Sequence, residues 1–406
     1  MEVMSDPVLV ATGHTYERSC IEKWIASGHQ TCPLSGQHLR HSELTPNIAL
    51  RNIIQDWAAV NKVALAPATR RAGPATPTRP PNILTGHSEI VWAIECHNGK
   101  IMSASADKCV RVWCSEQRRC TAVLEGHTRP VLSLSVAGAT LFSGSYDNSI
   151  RAWDLSTAGC IAVLKGHSDA VRALTIAGGR LFSGSYDSTL RAWTLPGHGG
   201  GDITCSAVLK KHTGPVRALV GLSGCVFSGS YDHTVCCWGA ESLALNGQLV
   251  GHTSPVRALA ALGNFVFSGS DDNTIRCWNA ETLQCTGVLK GHKDNVRVLA
   301  TTPDHPQYLF SGSWDRTVCV WDTRAQTCVK VLSGHAEAVL ALAVSGSMLA
   351  TGSYDSTVRQ WDIGTLECVQ VCRGHADAVR VLCAADDRFF SGAYDGTLGI
   401  WTCRSV

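Results

Sequence analysis

The sequence has almost no charge imbalance. Its 406 residues hold 35 Lys and Arg against 33 Asp and Glu, a formal net charge of +2. That excludes a role built on bulk attraction to nucleic acid or another polyanion. No apolar run approaches the ~18 residues of a membrane-spanning helix, so no membrane partner is expected. The first residues, Met1 to Pro7, include Glu2 and Asp6 and lack the cationic start and apolar stretch of a secretory leader. Nineteen cysteines without such a leader imply a reducing, intracellular setting, cytoplasmic or nuclear. They are expected as mostly buried thiols rather than a disulfide framework. Charged residues make up only 17% and apolar ones 45%, which excludes a mainly disordered chain.

What is present divides into three parts: a small module over 1–62, a linker over 63–81 and a repeat array over 82–406. Residues 1–82 carry eight basic and six acidic side chains, and the remainder holds 27 of each sign. Any charged site in the array must therefore come from local arrangement. Residues 64–81 read ALAPATRRAGPATPTRPP. They hold too little large apolar surface to offset their ordering entropy, so they read as a semi-extended tether.

The array repeats with a period of ~40 residues. A His falls at 87, 127, 167, 212, 252, 292, 335 and 375, preceded by Gly except at His212. An Asp follows at 107, 147, 187, 232, 272, 315, 355 and 395, and a Trp six residues after each Asp. Spacing breaks at two places, which contain PDHP (303–306) and LPGHGGG (195–201), both loop chemistry. Unit two shows VLSLSV, LFSGS, the turn YDNS, IRAW and IAVL, four short β-rich segments. Each unit thus reads as one small antiparallel sheet that must stack on its neighbours to bury its faces.

These units, GH…SGSYD…W in eight tandem copies, resemble the WD-repeat family over residues 82–406. The resemblance implies a mainly β fold, an eight-bladed β-propeller, with seven blades as the family's commoner count. It also implies a buried tetrad in each blade, in unit two His127, Ser143, Asp147 and Trp153. Each other unit likewise has Ser, or Thr351, four residues before its Asp. A hydroxyl, a carboxylate and two ring N–H groups can satisfy one another out of water. Recurrence in all eight units favours this structural role over catalytic triads. After Trp401 only TCRSV remains, whereas NILT (82–85) precedes the first His and aligns with the outer strand AVLE (122–125). The first strand is expected to complete the last blade and leave no open edge.

The N-terminal module has another grammar. DPV (6–8) and TGHTYER (12–18) precede an amphipathic helix IEKWIASG (21–28), a loop TCPLSG (31–36) and LTPN (44–47). A second helix is expected with Ile48, Leu50, Ile53, Ile54 and Trp57 on one face and Asn47 as its N-cap. This order of motifs resembles the U-box family of ubiquitin ligases, a small α+β module. Its only cysteines are Cys20 and Cys32, with no paired C-x-x-C ligands, so neither a metal nor any other cofactor is expected.

The U-box resemblance implies that a ubiquitin-conjugating enzyme is gripped without a covalent intermediate, and hence with no catalytic residue in the strict sense. The contact residues it implies are Trp24 on the helix and Cys32, Pro33, Leu34 and Ser35 on the loop, with Pro33 as apolar contact. Some relatives carry a basic residue three positions after the loop proline, where this chain has Gly36. The chain begins at MEVMSDPV, which implies that the first strand and first contact loop, with its CPI-type segment, are missing.

In WD-repeat propellers, ligands often sit at the mouth of the central channel. Two positions per unit are expected there. The fifth residue after each His gives Trp92, Leu132, Arg172, Arg217, Arg257, Arg297, Leu340 and Arg380. The residue before each Asp gives Ala106, Tyr146, Tyr186, Tyr231, Asp271, Trp314, Tyr354 and Tyr394. Five arginines and six aromatics would ring one opening, suited to an acidic or phosphorylated segment of a protein substrate. The alternative is a solvated rim whose arginines pair with nearby Asp or carbonyl groups.

Cys120, Cys160, Cys205, Cys285, Cys328 and Cys368 recur one per unit on the expected outer strand and read as small buried hydrophobes. GHGGG (197–201) is a loop insert, because no GK[ST] and helix follow it. WDTR (321–324) resembles a box by which some WD-repeat proteins dock on the adaptor of cullin ligases. Three functions follow from these resemblances. One is a ubiquitin ligase whose propeller selects a substrate for lysine ubiquitination. The second is a non-catalytic scaffold with a vestigial U-box, and the third a cullin substrate receptor acting through Asp322 and Arg324.

Overall fold

A computed structural model describes residues 7–9, 14–27, 29–35, 38, 45–46, 82–195 and 202–403. The expected linker over 63–81, the second helix with its Asn47 cap, Gly36 and the GHGGG insert lie outside the described residues. The chain divides into two compact units, Met1–Thr78 and Arg79–Val406, and each is described by itself. No helix among the described residues is long and apolar enough to cross a membrane.

The second unit consists of eight four-stranded antiparallel sheets. Blade two runs Val131–Ala137, Thr140–Ser145, Ile150–Asp154 and Cys160–Leu164, from the channel outward. Each inner strand lies beside the next, and Val379–Ala385 of blade eight lies beside Val91–His97 of blade one, so the ring is closed. In the last blade Leu398–Thr402 pairs with Ile83–Leu84, with Leu398 opposite Leu84 and Gly399 opposite Ile83. The Ile400 N–H donates to Asn82 O at 2.8 Å. The first strand thus completes the eighth blade, and the ring has eight blades rather than seven.

Packing between blades follows from sequence. The first residue of each inner strand is a fully buried Val, from Val91 to Val379. Seven of the eight fill the space left by a Gly in the second strand of the preceding blade, whereas Val131 clusters with Ala104 of blade one. A Cβ on Gly184 would stand 2.6 Å from Val216 Cγ1, so the close approach requires glycine there. Large rings on the second strand, such as Phe142, Phe182 and Phe227, are 1% exposed or less; two residues before the Gly, they share its face and cluster with the same Val of the next blade.

The tetrads form a directed hydrogen-bond relay. In blade two the Trp153 indole N–H donates to Ser143 Oγ at 2.8 Å, and Ser143 donates to His127 Nε2 at 2.8 Å. His127 Nδ1–H then donates to Asp147 Oδ2 at 2.7 Å. Every group is both buried and partnered, which is the condition for polar atoms in a core. Blade eight departs from the pattern: His375 Nδ1 donates to Thr397 Oγ1 at 2.7 Å, and Thr397 donates to Asp395 at 2.6 Å. A hydroxyl is inserted, and Asp395 lies 3.7 Å from the imidazole.

The cysteines differ from expectation. Cys160, Cys205, Cys285, Cys328 and Cys368 are exposed and Cys120 is half-buried. Their strand is the rim of the blade, with a neighbour on one side only. Arg151 Nη1 donates to Cys160 Sγ at 3.6 Å, and the same contact recurs for Cys120, Cys205, Cys285 and Cys368. Seventeen cysteines are free thiols, while Cys96 and Cys383 form a disulfide between the inner strands of blades one and eight. It joins residues 287 apart in sequence, so composition could not reveal it.

Two outcomes are expected. Ser183→Ala strands the Trp193 N–H and His167 Nε2 together, at about 1–3 kcal/mol per orphaned group. Exposed Ser156→Ala should stay within about 0.5 kcal/mol of the parent in chemical denaturation. The second concerns acid. Burial pushes the Asp147 carboxyl up, but hydrogen bonds from His127, Ser149 and the Thr128 N–H outweigh it and hold it well below the usual range. The same balance depresses Asp187, Asp232, Asp272, Asp315, Asp355 and Asp395. A carboxyl lowered in the folded state contributes stability that is full above its unfolded value, about 4, and lost below it. Melting temperature should therefore drop steeply as pH falls below about 4; a flat profile to pH 3 would contradict the relay.

Candidate functional site

Two groups of residues stand out, one in each unit. In the first unit, Pro7–Leu9 pairs with Thr15–Glu17 and with Thr45–Pro46. The helix Arg18–Ala26 sets Ile21, Trp24 and Ile25 on one face. Ile21, Val8 and Cys32 form the core, with Tyr16, Trp24 and Ile25 packed against it. This core carries the loop that follows the helix.

Cys32 is 1% exposed and supports the loop from beneath, whereas Pro33, Leu34 and Ser35 are exposed, Leu34 to 71%. Trp24 is tied down on both sides. Its indole N–H donates to Thr31 O at 2.8 Å, and its ring stacks on His29 with centroids 3.8 Å apart. Tyr16 is the residue that motif reading overlooks. Its hydroxyl accepts the Leu34 N–H at 3.0 Å and lies 3.0 Å from Cys32 Sγ, so it fixes the loop at two points. The signal available in the sequence was Tyr16 as part of TGHTYER, without its contacts. Among the described residues no three His, Cys, Asp or Glu side chains gather as metal ligands.

In the second unit, all eight residues five places after the tetrad His line one cavity of about 340 Å³ on the ring axis. Alternation along each inner strand puts them there. Tyr146, Tyr186 and Tyr231 contact in sequence, with centroids 6.2 and 6.4 Å apart. Tyr354 stacks on Tyr394 at 5.8 Å, and Tyr394 meets the edge of Trp92 at 6.2 Å. Two aromatic arcs thus adjoin the arginines. Trp314 stands apart from both, 46% exposed.

The arginines are not equivalent. Arg257 forks onto Asp271, with Nε 2.8 Å and Nη2 2.6 Å from Oδ2, and also contacts the Tyr231 hydroxyl. Burial pushes the Arg257 guanidinium down, but Asp271 outweighs it and holds it above its ordinary value. The solvated-rim alternative therefore describes Arg257. Arg172 donates to Leu132 O at 3.0 Å, a carbonyl pairing that also fits the solvated-rim alternative. Burial lowers Arg172 well below its ordinary value, and the like charges of Arg217, Arg380 and Arg297 add to the effect. Arg297 is lowered to about 10 by burial and by Arg217 and Arg257. Arg217 and Arg380 are lowered from the same causes, burial first and arginine charge second. These side chains are surrounded by protein yet touch the lumen of the channel.

The WDTR residues have a structural use. Asp322 Oδ1 accepts the N–H groups of Arg324 and Ala325 at 2.8 and 2.7 Å, capping a turn. Asp154 and Asn279 cap the same turn in their blades.

Comparison with known proteins agrees with this division. The U-box domain family model matches residues 1–63. The WD domain, G-beta repeat, matches eight times: 78–114, 118–154, 158–194, 193–239, 244–279, 283–322, 326–362 and 366–402. The E3 ubiquitin-protein ligase SPL11 of Oryza sativa subsp. japonica is 53% identical over 78 residues, 19% of this chain and 11% of that protein. U-box domain-containing protein 13 of Arabidopsis thaliana is 52% identical over 63 residues, 16% of this chain and 10% of that protein. The chain thus spans about a tenth of the length of these curated relatives. Among solved structures, the computationally designed Ika8 protein superposes with a TM-score of 0.70 at 30% identity, over 79% of this chain and 98% of that one.

The Arg257–Asp271 fork gives a direct check. Asp271→Ala should destabilise the propeller by about 1–3 kcal/mol, because it leaves a part-buried guanidinium unpaired in a ring with four others. Adding Arg257→Ala should restore most of that loss in urea denaturation.

Proposed function

The chain belongs to the WD-repeat family and carries a U-box at residues 1–63, and from that premise we propose that it is a ubiquitin-protein ligase. In this reading the module over 1–62 holds a ubiquitin-conjugating enzyme, residues 63–81 tether it, and the propeller over 82–406 recruits the protein substrate. Supporting the ligase assignment is the likeness of the first module to proteins named as E3 ubiquitin ligases. The observation that supports the mechanism is the loop Pro33, Leu34, Ser35, fixed by Tyr16 and presenting an exposed leucine.

Such a module acts by positioning. A loop held at both ends loses little conformational freedom when it docks, so more of its contact energy appears as affinity. Holding the charged conjugating enzyme near a lysine raises their effective concentration, an effect that reaches several kcal/mol in well-oriented systems. No side chain of this chain need form a bond to ubiquitin. Substrate recognition falls to Arg172, Arg217, Arg257, Arg297 and Arg380, with Tyr146, Tyr186, Tyr231, Trp314, Tyr354 and Tyr394. Guanidinium forks suit carboxylate and phosphate, and the rigid rings supply contact area at low entropic cost. The partner expected is a protein segment that is acidic or phosphorylated.

Self-ubiquitination of the full chain with a panel of conjugating enzymes tests the reading. Activity with at least one enzyme is expected, and Leu34→Asp should lower it about tenfold or more by placing a charge in an apolar contact. Propeller melting should not change in that variant. Failure of every conjugating enzyme to transfer ubiquitin would leave a scaffold in place of a ligase.

A further inference from the structure

Like charges gather inside a protein only where something balances them, since burying an unpaired ion costs several kcal/mol by ~ order of magnitude. The propeller channel contains such a gathering. Arg172, Arg217, Arg297 and Arg380 occupy the same position on their inner strands, so their side chains leave the wall at one level. Blades four and eight are opposite one another in a ring of eight, so Arg217 and Arg380 approach from facing walls. Each guanidinium nevertheless feels the others: Arg380 lowers Arg217, and Arg217 and Arg380 lower Arg172. All four belong to the wall of one cavity.

No carboxylate balances them among the described residues. Asp271 is taken up by Arg257. Glu95, on the inner strand of blade one, is pushed up to about 7 by burial alone, with no cation contributing. Arg380 is only 8% exposed, and its guanidinium carbon lies 5.5 Å over the Trp92 ring. Trp92 lines the same cavity, and its indole N–H is buried without an acceptor. Four cations thus line a single layer of a cavity of about 340 Å³, and the next residues along the strands are mostly Ala, Val and Leu.

We propose that the channel is a binding site for a small cyclic polyphosphate of the cyclitol phosphate class, seated on the ring axis. Its phosphates would meet Arg172, Arg217, Arg297 and Arg380. Two features select this class. The donors come from opposed walls, which suits a ligand whose charges point outward in several directions, whereas a peptide entering from the rim presents its charge from one side. The donors also lie in one layer over an apolar one, which suits a flat ring with equatorial charges. Guanidinium forks match phosphate geometry, and several of them on one ligand add their contacts. The site uses four of the arginines assigned above to substrate recognition and so competes with that part of the reading, but it does not depend on whether the first module engages a conjugating enzyme.

Calorimetric titration of the full chain with myo-inositol hexakisphosphate at physiological salt tests the proposal, with inorganic phosphate and a doubly phosphorylated peptide as comparison ligands. Saturable one-to-one binding of the hexakisphosphate is expected. Arg217→Ala and Arg380→Ala should each weaken it about tenfold or more, while Arg324→Ala on an exposed outer turn should not. The ligand should also raise the melting temperature of the parent and leave the R217A/R380A double variant unmoved, which separates lost binding from lost folding. Equal binding by parent and double variant overturns the site. Binding of the phosphopeptide with none of the hexakisphosphate also overturns it, and would leave the substrate role of the propeller standing. Self-ubiquitination does not involve the channel, so its loss bears on the ligase reading alone.

Discussion

One buried relay, Trp to Ser to His to Asp, governs the propeller. Each blade is a sheet too small to be stable by itself, and the relay joins its first turn to its second and third strands. It satisfies a hydroxyl, an imidazole, an indole and a carboxylate at once, and each would be costly if left alone in the core. Because the Asp also accepts the N–H of the residue after the His, as Thr128 does in blade two, the relay fixes the start of the inner strand. That strand carries the channel residues. The arginine layer therefore inherits its geometry from groups that never touch the lumen.

The ring adds a second constraint. Blade eight is assembled from both ends of the array, with Ile83–Leu84 as its outer strand. The Cys96–Cys383 disulfide ties the inner strands of blades one and eight. Strand pairing thus closes the break in the chain within blade eight, between its third and outer strands, and the disulfide adds a covalent tie from that blade to blade one. The departure of the His375 relay, with Thr397 inserted, falls in this same blade.

Much of this was legible in the sequence because it rests on period. Spacings of 20 and six residues located the His, Asp and Trp of every relay, and the short tail after Trp401 indicated how the ring closes. The same count placed Arg172 through Arg380 at the channel. What escaped depends on contacts between residues far apart. The thiols of Cys160 and Cys285 lie open because an outer strand has one neighbour, a property of the blade edge rather than of cysteine. Asp271 replaces a tyrosine found at that position in neighbouring units, yet only geometry shows that it neutralises Arg257 and leaves the other four arginines without a carboxylate. In the first module, Tyr16 is a motif letter until its hydroxyl is seen to hold Leu34 and Cys32.

The account joins two physical ideas: a loop stiffened from below to hold a carrier, and a ring that selects what is brought to it. The positioning idea is tested most directly by single-turnover discharge of a ubiquitin-charged conjugating enzyme onto free lysine, with the chain present in excess. The account predicts faster discharge with the full chain than without it, and no ubiquitin bound covalently to the chain by thioester at any time. An unchanged discharge rate, or a ubiquitin thioester on one of the chain's own cysteines, would contradict it.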